Sequence, residues 1–370
     1  MDRKERASGF LKENRNTILT IIALAMVMVL LANLKAWFGS YWLRVFNTCC
    51  IYAMVTMSMN LVNGCTGIFT MGSPGFMCIG AYTTAILILT PEIKDLVYYL
   101  SPMAPWLREL HTSFPVALLL GGIFAAIAAF FIGFPVLRLS GDYLSIATMA
   151  FSEIARVIML NAQSITNGPI GITKIKNHVT VWVAFLAMAA VYVFLRLLMR
   201  STYGRALKAV RDDAVAAEAI GIPLFKTKMT SFVISGFIAG IAGGLLASLV
   251  GTIDANQFVY SYVNQFLLMM ILGGNGSMTG SVLGSFVITV ALEVFRFMDE
   301  PIDFGFWKYK GIGGMRMVLF SVSLMLIVLF WERGIMGSEE FSWDRIIDRI
   351  KKIPSFFRNL FRKETGNDNS

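Results

Sequence analysis

The chain has 370 residues, of which 56% are hydrophobic and 15% charged, and carries a formal net charge of +9. Charged residues make up about a quarter of an ordinary soluble domain, so the composition excludes a water-soluble globular protein and calls for a bilayer. The positive balance does not indicate nucleic acid, because the Lys and Arg residues lie between apolar runs and at the two ends, with no basic face interleaved with aromatics.

In chain order, residues 1–16 carry Arg3, Lys4, Arg6, Lys12 and Arg15, and an apolar run follows from Thr17 to Leu34. Lys35, Ala36 and Trp37 come next and offer no small-x-small cleavage site, so this run reads as a retained span. Further apolar runs lie at about 43–61, 66–90, 115–137, 143–160, 179–199, 228–250, 259–272, 276–297 and 315–331. A helix crossing the hydrocarbon takes about 20 residues. Most runs meet that length, but 259–272 is short and leads into Gly273-Gly274-Asn275-Gly276, while 66–90 is interrupted by Gly72, Pro74, Gly75 and Gly80. These two either span or re-enter. The expected fold is all-α, a polytopic membrane protein of about ten transmembrane or re-entrant helices, with one membrane domain over 17–335.

Lys and Arg in short loops mark the cytoplasmic side. They concentrate in 1–16, in the loop 201–228 and in the tail 336–370, and alternating the ten runs from an inside N-terminus puts all three on one side. In the tail Ile346, Ile347, Ile350, Ile353, Phe356 and Phe357 alternate with Lys and Arg, the pattern of either a basic amphipathic helix on the inner membrane surface or a solvated, frayed terminus.

Within the loop, Gly204 to Ile220 has no proline and reads as one short amphipathic helix. Leu207, Val210, Ala214 and Ala217 fall along one stripe, Gly221 suits the position after the helix end, and Pro223 stops it. Such a helix either docks a soluble partner or lies on the membrane.

Other candidate groups follow from what a bilayer penalises. Glu153 and Arg156 are charges inside an apolar run, three residues apart on one helix face. They either line a translocation path or close a structural ion pair, and Glu293 with Arg296 repeats the spacing near a helix end. Asn63 and Asn275 sit in Gly-rich turns whose unwound backbone either meets a solute or lies at the surface. Gly236, Gly240 and Gly244, and likewise Gly276, Gly280 and Gly284, recur every four residues and let another helix approach closely.

Cys49, Cys50, Cys65 and Cys78 lack CxxC spacing and only two histidines, His111 and His178, exist, so no metal site is expected. No Gly-x4-Gly-Lys-Ser/Thr loop is present to cradle a nucleotide, no Ser-His-Asp or Cys-His set is evident, and no cofactor is expected on this chain.

Several stretches together resemble one family. They are Asn60-Leu-Val-Asn-Gly-Cys-Thr-Gly67 leading to Gly80-Ala-Tyr82, Leu137-Arg-Leu-Ser-Gly-Asp-Tyr143, Ser152-Glu-Ile-Ala-Arg156 with Asn167-Gly-Pro169, and Leu272-Gly-Gly-Asn-Gly-Ser277. With Gly204-Arg-Ala-Leu-Lys-Ala-Val-Arg-Asp-Asp213 and Ala216 to Ile222, their order and spacing are similar to those of the M-type permease subunit of branched-chain amino acid ABC transporters, over about 43–330. The resemblance implies a transport subunit, not an enzyme, in a bacterial plasma (inner) membrane, for leucine, isoleucine and valine. Urea or short-amide permeases of the same family and a self-contained secondary transporter stay open.

It further implies a second homologous permease, two cytoplasmic ATPase subunits and an extracytoplasmic solute-binding protein. The coupling contacts would fall on Arg205, Arg211, Asp212, Glu218 and Gly221. The chain departs from the general importer pattern, with Glu218-Ala-Ile-Gly221 placing the Gly three residues after the Glu instead of four.

Overall fold

The apolar runs fold as helices in the computed structural model, which describes residues 39–99, 102–139 and 141–299 and short pieces between 302 and 337. The expected span at 17–34, the basic segment 1–16, nearly all of the run 315–331 and all but the first two residues of the tail 336–370 lie outside the described residues.

A bilayer core offers no water to an unpaired N–H or C=O, so an apolar run within it closes its hydrogen bonds as a helix. Among the described residues, five helices are long and apolar enough to cross: α1 (Gly39–Cys65), α5 (Phe114–Val136), α6 (Asp142–Asn161), α8 (Val181–Arg200) and α11 (Leu224–Val250). Between α1 and α5 come α2 (Ser73–Ile88), α3 (Pro91–Val97) and the single turn α4 (Pro105–Arg108). α2 and α3 together are apolar enough for one crossing but are bent by 120° at their junction, where Thr90 is extended and Pro91 starts the next helix. A short turn α7 (Gln163–Thr166) follows α6. Two helices, α9 (Thr202–Asp212) and α10 (Ala214–Ala219), fill the loop after α8, and α12 (Ser261–Gly273) and α13 (Met278–Val294) follow α11. The only strand pairing among the described residues is a two-residue antiparallel ladder, Ile302–Asp303 with Lys308–Tyr309, and one isolated bridge, Ile172 with Ile253.

The run at 66–90 is not one helix. Residues 66–72 are irregular, with Gly67 at φ +74°, and α2 starts only at Ser73 with proline in its first turn. The irregular backbone is satisfied by its neighbours: Asn63 exchanges bonds with Thr70 through both amide atoms, the Thr148 hydroxyl accepts from Met71 N–H at 3.0 Å, and the Ser145 hydroxyl donates to Phe69 C=O at 2.8 Å. Protein-shielded backbone of this kind is the sort a membrane tolerates. α12 has 13 residues, about 20 Å of helix, well short of the hydrocarbon thickness.

α1 and α11 run through the interior, while α5, α6 and α8 present rows of apolar side chains outward, among them Leu119, Ile123, Phe130 and Phe131 on α5. The centre is a three-helix seam of α2, α5 and α11. There Gly80 lies so close to Gly240 that a Cβ on it would overlap the Gly240 backbone, a Cβ on Gly240 would overlap Ala125, and Gly121 stands against Thr84 and the Gly80 carbonyl. With no hydrophobic force between helices in lipid, such close van der Waals contact supplies the packing energy.

Candidate functional site

The α9–α10 hairpin departs from the single helix expected over 204–220. It breaks at Asp213, which leaves helical geometry (φ −156°, ψ 109°) and caps α10, its carboxylate accepting from Val215 and Ala216 N–H at 2.9 and 3.0 Å. An Asp gains more from satisfying orphan helix donors than from continuing a helix. α10 ends in a Schellman turn, with Gly221 N–H to Glu218 C=O and Ile222 N–H to Ala217 C=O, and Gly221 takes the left-handed φ of +88° that this turn needs.

Leu207, Val210 and Ala217 are buried against the membrane helices. Arg205, Lys208, Asp212 and Glu218 are exposed, and Val215 and Ile220 stand 79% and 76% exposed. Two large apolar side chains ringed by charge form the chemistry of a protein-docking surface, with an apolar centre and a polar rim.

Arg211 is exposed like its neighbours but also reaches the end of α1. Its guanidinium pairs with Asp212 at 2.9 Å and also donates through NH1 to the carbonyl of Gly64 at 3.2 Å. Gly64 belongs to a five-residue π-turn, Leu61–Cys65, that ends α1. The same junction holds the turn between α12 and α13. Asn60, fully buried, accepts from Gly276 N–H at 2.8 Å and donates to Ser277 C=O at 2.9 Å and the Ser281 hydroxyl at 2.6 Å. Cys65 Sγ lies 3.8 Å from the Gly276 carbonyl. Thus α9, the end of α1 and the α12–α13 turn meet at one point, and Arg211 reaches from α9 into it.

The other expected path residues separate. Asn63 is consumed by Thr70, and Asn275 is exposed at the tip of the α12–α13 turn. Glu153 and Arg156 close an ion pair at 2.8 Å, with side chains 31% and 20% exposed, and Arg156 donates to Asn256 at 3.2 Å. Asn256 follows the far end of α11, whose start adjoins α10, so this pair works near the end opposite Arg211. The four do not form one site. Gly236, Gly240 and Gly244 face α5 and α2, while Gly280 and Gly284 face Gly273 and Met269 of α12; Gly276 lies in the turn before α13 and joins no helix face. Glu293 pairs with Arg296 at 3.2 Å.

Asn60 carried a signal in the sequence, an amide inside an apolar run four residues before Gly64, but its partners are more than 200 residues away. At the far end the fully buried Lys94 donates to the carbonyls of Leu107 and Leu110 at 2.8 and 2.6 Å, tying α3 to α4. Cys49, Cys50 and Cys78 are buried free thiols, and among the described residues no group of three or more His, Cys, Asp or Glu is placed to hold a metal.

Residues 41–329 match the family described as branched-chain amino acid transport system / permease component. The chain is 31% identical over 316 residues to the high-affinity branched-chain amino acid transport system permease protein LivM of Escherichia coli K12, covering 76% of this chain and 66% of that protein. It is 25% identical to the probable LivM of Methanocaldococcus jannaschii, covering 84% and 94%, and 23% identical to the probable LivH of the same organism, covering 61% and 75%. It therefore spans just under two thirds of the length of the Escherichia coli relative. By that match the chain belongs to the family of permease components of branched-chain amino acid transport systems.

Proposed function

We propose that this chain is a membrane-spanning subunit of an ABC importer that carries leucine, isoleucine and valine inward, with ATP hydrolysed on separate subunits. The observation that carries the reading is the family match across 41–329, joined by relatives named LivM and LivH. Relatives of two types support a pairing with a second, homologous permease. The α9–α10 hairpin gives the ATPases a charged, apolar-centred surface, and Arg211 gives their motion a route into the α1 and α12–α13 ends. The cations Arg200, Arg205, Lys208, Arg211, Lys226 and Lys228 around that hairpin favour the cytoplasm for that end. A solute-binding protein then delivers at the other end.

The test is ATP-driven uptake of labelled leucine into vesicles by the complete complex and by one lacking this chain, with unlabelled isoleucine, valine or urea as competitors. Uptake that needs the chain and is blocked by isoleucine and valine is the expected result. Uptake of leucine indifferent to the chain would overturn the solute assignment. Block by urea alone would move it to urea and short amides. Transport by the purified chain without any ATPase would replace it with a self-contained secondary transporter.

A further inference from the structure

A second polar site lies at the end opposite Arg211, and none of the relatives' names describes it. A cavity of about 390 Å³ opens between the first turns of α1 and the last turns of α13, lined by Tyr41, Arg44, Thr48, Thr289, Glu293 and Arg296 among others. That volume lies in the range of small-molecule sites, about 300–1,000 Å³. Arg296 is committed: its NH1 pairs with Glu293 Oε1 at 3.2 Å and bonds the Tyr41 hydroxyl at 3.0 Å. Arg44, by contrast, is exposed and has no ion-pair partner among the described residues. Thr289, 6% exposed, holds its Oγ1 buried without a hydrogen-bond partner of good geometry, the nearby Cys49 thiol being a weak one.

These groups specify a ligand with both charges. A guanidinium recognises a carboxylate in two parallel bonds. Glu293 uses one oxygen on Arg296, and a carboxylate has about four acceptor positions, so it keeps capacity for an ammonium, with Thr289 Oγ1 beside it. Arg296 already answers the Glu293 charge, so the lining keeps one net positive charge on Arg44: a simple cation would face it, a neutral amide would leave it unanswered, and a carboxylate that carries an ammonium answers it and also uses the free Glu293 oxygen. The geometry points to a binding site for the zwitterionic head of an α-amino acid between α1 and α13, with Arg44 on the carboxylate and Glu293 and Thr289 on the ammonium. This rests on the amino-acid reading above, and in that reading the cavity is the receiving station on the side where solute arrives.

The experiment uses the full complex with its binding protein in vesicles and a leucine analogue bearing a photoreactive diazirine. After illumination, adducts are mapped by peptide mass spectrometry, and uptake of labelled leucine is measured in the same vesicles. Adducts within 41–48 or 289–296 are expected. Arg44→Gln is expected to lower adduct yield and uptake about tenfold, the loss of about 1.4 kcal/mol of binding, and Arg44→Lys to restore part of it. Thr289→Val, which keeps the side-chain shape, should raise the half-saturating concentration with the amount of assembled complex unchanged, so that a folding defect is not mistaken for a binding one.

Leucine uptake with adducts only elsewhere, and Arg44→Gln uptake equal to wild type, would overturn the site and leave the transport reading standing. Loss of a co-purifying anionic phospholipid in Arg44→Gln with uptake unchanged would also overturn it, in favour of a lipid headgroup. Absence of leucine uptake by the wild-type complex would overturn both.

Discussion

The two ends of α1 and α13 are built on opposite plans. At the end that meets α9, Asn60 and Asn63 close on Gly276, Ser277, Ser281 and Thr70, and Arg211 locks onto Gly64. At the other end Thr289 Oγ1 and Asn47 Oδ1 are buried without good partners, and Arg44 stands open beside a cavity. An unmet buried polar atom costs about 1–3 kcal/mol, so saturation and want are not equivalent uses of the same residue types. A saturated junction moves as one piece and transmits displacement. An unsaturated one waits for something from outside.

The strongest way to break that contrast is at the saturated end. Asn60→Ala orphans Gly276 N–H and removes both bonds of the buried amide, and should destabilise the protein by about 3 kcal/mol, read as a fall in the detergent-solubilised melting temperature or as loss of recoverable protein. A melting temperature equal to wild type would mean that the junction is not the fastening it is taken to be. Next in size is Arg211→Ala. Stability should change little, because its bond to Asp212 is exposed and such pairs are worth about 0–1 kcal/mol. Uptake should fall about tenfold, the equivalent of about 1.4 kcal/mol, while ATP hydrolysis persists. Parallel loss of both activities would assign Arg211 to docking alone.

Smaller still is the Glu153–Arg156 pair. It is closed on itself and on Asn256, so replacing both residues with leucine should leave uptake within about twofold, a change of roughly 0.4 kcal/mol. A larger loss would put the pair on the solute's path. The smallest effect expected is at His178, which stacks on Phe114 at 5.2 Å. Desolvation, then the charge of Lys176, lowers its pKa below 6.5. The folded state therefore binds fewer protons than the unfolded one in that window. Stability is full above pH 6.5 and declines as pH falls through the folded value. Melting curves of wild type and His178→Phe, which keeps the stack without the titration, should agree at pH 8 and separate slightly near pH 5.

The membrane helices were legible because the bilayer makes apolar length nearly sufficient to specify a helix: 115–137 became Phe114–Val136 and 228–250 became Leu224–Val250. The glycines at 236, 240 and 244 announced a close approach, though not that α2 and α5 would fill it. What the sequence hid depended on partners distant along the chain. Asp213 reads as an ordinary helix-surface acid until the orphan N–H groups of Val215 and Ala216 are in view. Arg211 looks like one more exposed cation of an amphipathic helix, and only the position of Gly64, 147 residues earlier, turns it inward. Asn63 and Asn275 share a composition but not a fate, because one turn is folded against α6 and the other projects.

The break at Asp213 also bears on how such a transporter can diversify. α9 carries the inward-reaching Arg211, and α10 carries the outward Val215, Glu218 and Ile220. On the proposed importer reading, recognition of the ATPase and transmission of its stroke fall to separate short helices joined at one residue. On that reading the exposed positions Val215, Ala216, Glu218 and Ala219, with the Ile220 that follows, could be rewritten to suit a different ATPase while the buried Ala217 and the lever behind it stay unchanged.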